Sequence, residues 1–177
     1  MTAAGEYGRA LFLITEEDGT SDKIISDVRV AQKIFRDNPE YVRLLNSPAV
    51  AKEERVGLVG TAFGRLDENL LNLIKILTER RSVQLFGRVA EEYYRLYDES
   101  RGILRVEAIT ALPLTKAQAD AITRRLSDSL NKTVVLSNTI DRSTLGGVKL
   151  RYGGVQLDGT VKTRLDKFEE ALKNTVI

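Results

Sequence analysis

The chain has no cysteine and no histidine in its 177 residues. Without cysteine there are no disulfides, no thiolate nucleophile and no Cys/His zinc site. Without histidine there is no Ser-His-Asp triad and no side chain that ordinarily titrates near neutral pH. An enzyme built from this sequence would have to work with Asp, Glu, Lys or Tyr. Long apolar runs are missing too: none approaches the roughly 20 residues that span a bilayer. The opening segment, MTAAGEYGRALFLITEEDG, has no basic n-region and carries acids early. It reads neither as a secretory signal nor as an Arg-rich transit peptide, and a cytosolic or matrix-type protein is expected.

What is present is the composition of an ordinary soluble globular protein, 42% hydrophobic and 29% charged. The length suits one or two small domains with a real core. Charge is uneven: residues 1–100 hold 14 Lys+Arg and 17 Asp+Glu, and residues 101–177 hold 13 and 8. Either two domains carry differently charged solvated faces, or the basic half meets an acidic partner.

Residues 1–100 read as helices. Tyr7, Ala10, Leu11 and Ile14 recur at i, i+3, i+4 and i+7, which predicts one apolar stripe. The polar loop EEDGTSD, 16–22, separates it from a second stripe of Ile24, Val28, Ala31 and Phe35. Asn38-Pro39 predicts a short third helix with Pro39 in its first turn. Ser47-Pro48, an N-cap followed by proline, predicts the start of a fourth carrying Val56, Val59 and Phe63. In LDENLLNLIKILTERRS, 66–82, Leu70, Leu71, Leu73, Ile74 and Leu77 share one arc, and Ile76 falls outside it. Such a helix is either central in the core or has a second apolar partner. Phe86, Val89, Ala90, Tyr93 and Tyr97 align on a last helix. Short connections between some six helices predict an antiparallel bundle.

The period changes at Ser100-Arg101-Gly102, which gives domains of 1–101 and 102–177. ILRVEAITA predicts a half-buried strand, with Leu104, Val106 and Ala108 to one side and Arg105 and Glu107 to the other. Thr115-Lys116-Ala117-Gln118 is a capping box opening a helix with Ala119, Ile122 and Leu126 inward. TVVLSNTID, 133–141, is a second strand. Val148, Leu150 and Tyr152 alternate with Lys149 and Arg151 in a third, and residues 155–157 form a short fourth. Asp158 is read as the cap of a terminal helix with a stripe of Val161, Leu165, Phe168 and Leu172. The fold class is α+β: an antiparallel six-helix bundle followed by a small β-α-β-β-α domain.

The run TLGGVKLRYGGVQLDGT, 144–160, raises the question of a phosphate loop. It lacks GxxxxGK[ST], and neither glycine pair has the GxGxxG spacing between a strand and a helix. Gly153-Gly154 falls between two alternating strands, where a two-residue hairpin loop wants positive φ. Gly146-Gly147 reads as a bulge or a close backbone approach. The neighbouring carboxylates Glu53-Glu54, Glu91-Glu92 and Glu169-Glu170 do not share a helix face, so they make poor metal or acid-base pairs. Arg80-Arg81 and Arg124-Arg125 lack interleaved aromatics. A nucleic-acid-binding module using the basic C-terminal half is the alternative reading.

The order of parts and the tail then matter together. VVLSNTIDRSTLGGVKLRYGGVQLDGTVKTRLDKFEEAL resembles the signature of the delta subunits of F-type ATP synthases, the family of the mitochondrial oligomycin sensitivity-conferring protein. The resemblance is carried by Ile140-Asp141, Leu145-Gly146-Gly147-Val148, Asp158-Gly159-Thr160-Val161 and Arg164-Leu165. YGRALF, 7–12, is similar to the family's opening Tyr-Ala-x-Ala-Leu/Phe segment, and NLIKIL, 72–77, to its fifth helix. Nearly the whole chain is covered. Gly8 stands where the family usually has alanine, and is expected to loosen the first helix. Gly154 replaces a common Asp or Asn, a change a type I′ turn tolerates.

The resemblance implies a non-catalytic stator component with no cofactor or metal. It would tie the catalytic head to the peripheral stalk and resist rotor torque during proton-driven ATP synthesis. It implies that the helical domain holds N-terminal helices of the alpha subunits, through Tyr7 and Ala10 on the first helix, Ile25 on the second and Ile76 on the fifth. Tyr7 and Ala10 also lie on the apolar stripe, so core and interface both stay open for them. The C-terminal domain would meet the stalk's b subunits, with Leu165, Phe168 and Leu172 as the candidate stripe. The same stripe also suits docking of the terminal helix on its own sheet. Gly146, Gly147, Gly153, Gly154, Asp158 and Gly159 are assigned to structural turns. The resemblance implies no nucleic-acid partner. It implies a peripheral place on the cytoplasmic face of the bacterial plasma membrane, reached only through the complex.

Overall fold

The computed structural model of the protein describes residues 2–144 and 146–159, in two units divided after Asp98. The first unit is helical: α1 (Ala3–Glu17), α2 (Ser21–Asp37), α3 (Pro39–Asn46), α4 (Lys52–Phe63), α5 (Glu68–Glu79), a 3-10 turn at Val83–Leu85, and α6 (Phe86–Ser100), which runs past the division. The starts have local causes. Thr2 accepts the Gly5 N–H at 3.3 Å, and Asp67 accepts the Asn69 N–H at 2.9 Å. Each satisfies an amide that the helix leaves without a partner. Pro39 opens α3, where its missing N–H costs nothing.

One core joins these helices. Ile24, Val28, Phe63, Ile74, Leu77 and Phe86 are essentially inaccessible. The Phe35 ring sits 5.0 Å from that of Phe63 and 5.1 Å from that of Phe86. Tyr93 is also fully buried. Its hydroxyl lies 3.1 Å from Thr15 Oγ1 and donates to the Ser21 carbonyl at 3.3 Å. A buried hydroxyl has to find such partners, and here they tie α6 to α1 and to the start of α2.

Three local expectations are corrected. The stripe Tyr7, Ala10, Leu11 and Ile14 does not face inward as a set. The buried line of α1 is Ala4, Gly8, Leu11, Phe12 and Thr15, while Ala10 and Ile14 are exposed and Tyr7 is half-buried. Leu11 and Phe12 draw the arc between them, and Gly8 and Thr15, which a tally of apolar residues skips, complete it. Gly8 is not a loosening of the helix. A Cβ there would stand 2.7 Å from the Val89 carbonyl oxygen, so glycine lets α1 lie against α6. Ser47-Pro48 does not open α4, which begins at Lys52. Ser47 Oγ does accept the Ala49 N–H at 3.2 Å, but its carbonyl is taken by Arg55 Nη1 at 3.0 Å. Ser47-Pro48 thus belongs to a turn held by Arg55, ahead of the helix.

The second unit holds β1 (Ile103–Thr110), α7 (Lys116–Leu130), β2 (Thr133–Ile140), β3 (Val148–Tyr152) and β4 (Val155–Asp158), in the sheet order β2-β1-β3-β4. β1 and β2 are parallel, which requires a long connection, supplied by α7. The β1–β3 and β3–β4 pairs are antiparallel. As an inner strand, β1 buries Val106, Ala108, Ile109 and Thr110. Thr115 and Gln118 form the capping box that starts α7, whose Ala119, Ile122 and Leu126 are half-buried. Asn138 closes one end of the sheet: its amide donates to the Ala108 carbonyl at 2.9 Å and to Thr110 Oγ1 at 2.8 Å, and its Oδ1 accepts the Leu114 N–H. The terminal helix read from Val161, Leu165, Phe168 and Leu172 lies outside the described residues.

Candidate partner-binding furrow

α5 packs against both α1 and α4, and its two flanks differ. Asn69, in its first turn, donates to Asp18 Oδ2 at 3.0 Å, just past the end of α1. The start of α5 thus meets the end of α1. Ile76 stands two turns after Asn69 on the same flank, since seven residues nearly complete two turns. Lys75, about 100° round the helix from Ile76, lines a hollow with Val56 and Gly60 of α4. Ile76 is therefore on the α1 side, and it is 43% exposed.

α1 is divided in the same way. Gly8 meets the Val89 carbonyl, and the Phe12 ring lies edge-on to Tyr93 at 6.0 Å, so that flank belongs to α6. Arg9 also acts on α6, where it helps hold the Glu92 carboxyl below its usual range. The larger cause is the hydrogen bond from Arg95, with Arg95's charge adding to it. The other flank of α1 carries Tyr7, Ala10 and Ile14, with Ile14 46% exposed. Ile76 lies about 10 Å along α5 from the Asn69 tie. The same distance back along α1 from Asp18 reaches Leu11, between Ala10 and Ile14. Tyr7, Ala10 and Ile14 on α1 and Ile76 on α5 are therefore the candidate lining of a furrow along the seam of these two packed helices.

Of the four residues assigned to a partner helix, Tyr7 and Ala10 lie on the flank of α1 away from α6 and Ile76 on the Asn69 flank of α5, while Ile25 lies elsewhere. It lies on the α2 stripe that includes Asp22 and Gln32. Asp22 accepts from the Tyr97 hydroxyl at 2.7 Å, and Gln32 Oε1 from the Tyr94 hydroxyl at 3.3 Å. Ile25 therefore faces the α6 side of α2. Ile14 is the furrow residue that sequence reasoning assigned to the stripe alone. Its spacing from Ala10 was the available signal. Leu165, Phe168 and Leu172 lie outside the described residues.

The glycine-rich run is built as sheet. Gly153 and Gly154 link β3 to β4 with φ of 51° and 80°, and Gly147 has φ 83°. The Gly159 N–H donates to the Val148 carbonyl at 3.0 Å. Both cations of the run face carboxylates across strands: Lys149 pairs with Asp158 at 3.7 Å and Arg151 with Glu107 at 3.3 Å. Asp158 sits in β4 in this pairing. Its reading as a helix cap concerns a helix outside the described residues. Among the described residues, no group of three or more Asp and Glu side chains is placed to hold a metal ion.

A helical unit with exposed Ile14 and Ile76 is followed in the chain by an α+β unit, and no catalytic or metal-binding cluster has emerged among the described residues. The family profile of the ATP synthase delta (OSCP) subunit matches residues 3–172. The chain belongs to that family, and is a non-catalytic component of the peripheral stalk of ATP synthase. It is 31% identical over 175 residues to ATP synthase subunit delta of Clostridioides difficile, covering 98% of this chain and 97% of that one. It is 33% identical over 168 residues to ATP synthase subunit delta of Acetivibrio thermocellus, covering 94% of each. A chain in the cryo-EM structure of the Toxoplasma gondii mitochondrial ATP synthase hexamer shares the fold, with a TM-score of 0.76 over 97% of this chain and 98% of that one at 24% identity. The family gives no support to the nucleic-acid-binding reading. Among the described residues no helix is long and apolar enough to cross a membrane.

Proposed function

We propose that the helical unit, an antiparallel six-helix bundle spanning residues 1–101, holds an N-terminal helix of an alpha subunit in the α1–α5 furrow. The domain at 102–177 meets the b subunits of the peripheral stalk. The protein then ties the catalytic head to the stalk and resists rotor torque during proton-driven synthesis, on the cytoplasmic face of a bacterial plasma membrane. The observation that carries this is the exposure of Ala10, Ile14 and Ile76, with half-buried Tyr7, on facing flanks of two packed helices. An amphipathic helix laid in such a furrow anchors through residues at i, i+3, i+4 and i+7. Ile25, on the α6 side of α2, would serve a second contact of the same kind. For the stalk contact the candidates remain Leu165, Phe168 and Leu172.

The test is calorimetric titration of the full chain with a synthetic peptide of the cognate alpha subunit's N-terminal helix, against a scrambled peptide. One-to-one binding with a negative heat-capacity change is expected, as apolar burial requires. Ile76→Asp should keep the melting temperature and weaken binding by about 2 kcal/mol, the scale of an interface hot spot. If Ile76→Asp unfolds the helical unit, the residue belongs to the core. If it binds as the parent does, the furrow is not the site.

A further inference from the structure

The sheet of the second unit, in the order β2-β1-β3-β4, has two unlike edges. β4 is short and ends in Asp158, which pairs with Lys149. β2, Thr133–Ile140, is twice as long and holds no charged residue and no proline. Its register with β1 runs unbroken from Ile103↔Thr133 to Thr110↔Ile140, so no bulge turns it away. Short length, charge, proline and bulges are the usual guards of an edge strand, and β2 has none of them.

The main chain of β2 faces two ways. The Thr133 N–H donates to the Gly102 carbonyl at 2.9 Å, and the Asp141 N–H to the Thr110 carbonyl at 2.8 Å. In a parallel pair alternate residues turn their N–H and C=O the same way. The odd-numbered residues of β2 therefore face β1, and the even-numbered ones face outward. The Val134 N–H is taken by Ser127 Oγ of α7 at 3.4 Å. Leu136, Asn138 and Ile140 keep outward main-chain groups, and no described strand lies beside them. Residues 137–140 are exposed, Ile140 at 52%. An apolar face accepts many shapes, but a row of unpaired amides and carbonyls fits an extended chain.

We propose that this extended chain is β2 of a second copy of the protein. Two copies laid antiparallel about a twofold axis at Asn138 set Leu136 opposite Ile140 and Asn138 opposite its own copy. Every one of these residues points outward, so the pairing uses all the free groups and leaves Val134, already bonded to Ser127, outside it. Between them Ser137 meets Thr139, a cross-strand hydroxyl pair that sheets favour. No like charges meet within the pairing, because β2 carries none. A twofold contact needs a patch that fits itself, and the outward groups of β2 meet that condition. The contact is small, below about 1,200 Å² of buried surface, which is the range of weak association. The pair therefore forms between free chains at high concentration and shields an edge that would otherwise accept other strands. It is independent of the furrow in the helical unit.

Sedimentation equilibrium of the full chain over a wide concentration range tests this. The weight-average mass should climb from that of one chain towards that of two. Ile140→Lys puts a cation on the exposed edge and should hold the mass at one chain throughout. Ile140→Pro should do the same with an unchanged far-ultraviolet spectrum, because the lost N–H points outward and serves no bond to β1. Thr139→Pro removes an N–H that faces β1 and should damage the sheet. A parent that stays at the mass of one chain at every concentration overturns the proposal, whatever other chain the edge accepts. A dimer that survives in folded Ile140→Lys places the contact elsewhere and overturns it too. If the two proline variants damage the sheet equally, the outward groups are wrongly assigned.

Discussion

Gly8→Ala separates a helix held at a distance from one in close contact. On helix propensity alone, alanine should gain about 1 kcal/mol over glycine. The structure argues the reverse. The added Cβ would stand 2.7 Å from the Val89 carbonyl oxygen and 2.8 Å from Glu92 Cβ. The first of these is backbone and cannot swing away. Relief requires α1 to move off α6 by roughly half an ångström or more, which forfeits about a quarter of the dispersion energy of each contact on that flank. Overpacking of this kind costs about 1–3 kcal/mol. Set against the propensity gain, a net loss of about 0–2 kcal/mol remains. For a unit of this size that lowers the melting temperature by roughly 4–8 °C per kcal/mol. Urea and thermal unfolding followed by circular dichroism measure it, with Gly57→Ala and Gly60→Ala as controls. Both of those glycines lie in α4 with nothing within 4 Å of an added Cβ, so both substitutions should stabilise. If Gly8→Ala stabilises as they do, α1 and α6 do not touch as described.

Tyr93→Phe should cost about 1–2 kcal/mol in urea unfolding, because it strips partners from Thr15 and the Ser21 carbonyl inside the core; a neutral result would mean that the hydroxyl is solvated. Arg55 is 2% exposed, and its Nε has no hydrogen-bond partner. Arg55→Met should leave the melting temperature unchanged or raise it, since burying a charge without a carboxylate is costly, and a loss of several degrees would show the Ser47 contact to dominate. Arg95 holds the Glu92 carboxyl below its ordinary range. A depressed folded pKa gives stability that is present above the ordinary carboxylate pKa and lost as pH falls through the folded value. The melting-temperature difference between the parent and Arg95→Ala should therefore be present at pH 7 and shrink below about pH 4; an equal difference at both would assign it to packing.

The fold was legible where one strong local cause acts. The Thr115–Gln118 capping box and Pro39 at the start of α3 were read directly. Parallel pairing of β1 with β2 was not, because strand direction depends on where α7 returns the chain and no local spacing records that. Ser47-Pro48 misled for a related reason. The Ser47 carbonyl is held by Arg55, eight residues on, and a capping rule looks only a few residues ahead. Of the proposed site, the sequence marked one exposed residue. Ile76 fell outside the α5 arc and is exposed. Ala10 and Ile14 looked like core because a helical period shows that a stripe exists and not which neighbour lies under it.

The depth of the furrow also bounds what each residue contributes. Fully burying an Ile side chain is worth roughly 1.5–3 kcal/mol. Ile14 and Ile76 are 46% and 43% exposed, so each has only about 1 kcal/mol left to gain from a partner. That supports a prediction distinct from the aspartate variant. Ile76→Ala removes what is left of the apolar contact and should weaken peptide binding by about 1 kcal/mol, roughly fivefold. Ile76→Asp also traps a carboxylate under the docked helix and should cost at least twice as much. If the two variants weaken binding equally, the penalty of burying charge is absent, and Ile76 stays wet at the rim of the complex. If Ile76→Ala alone costs several kcal/mol, the bound furrow must close around its occupant, and α1 and α5 move on binding. Calorimetry on both variants with one peptide decides between a preformed seat and one that the partner completes.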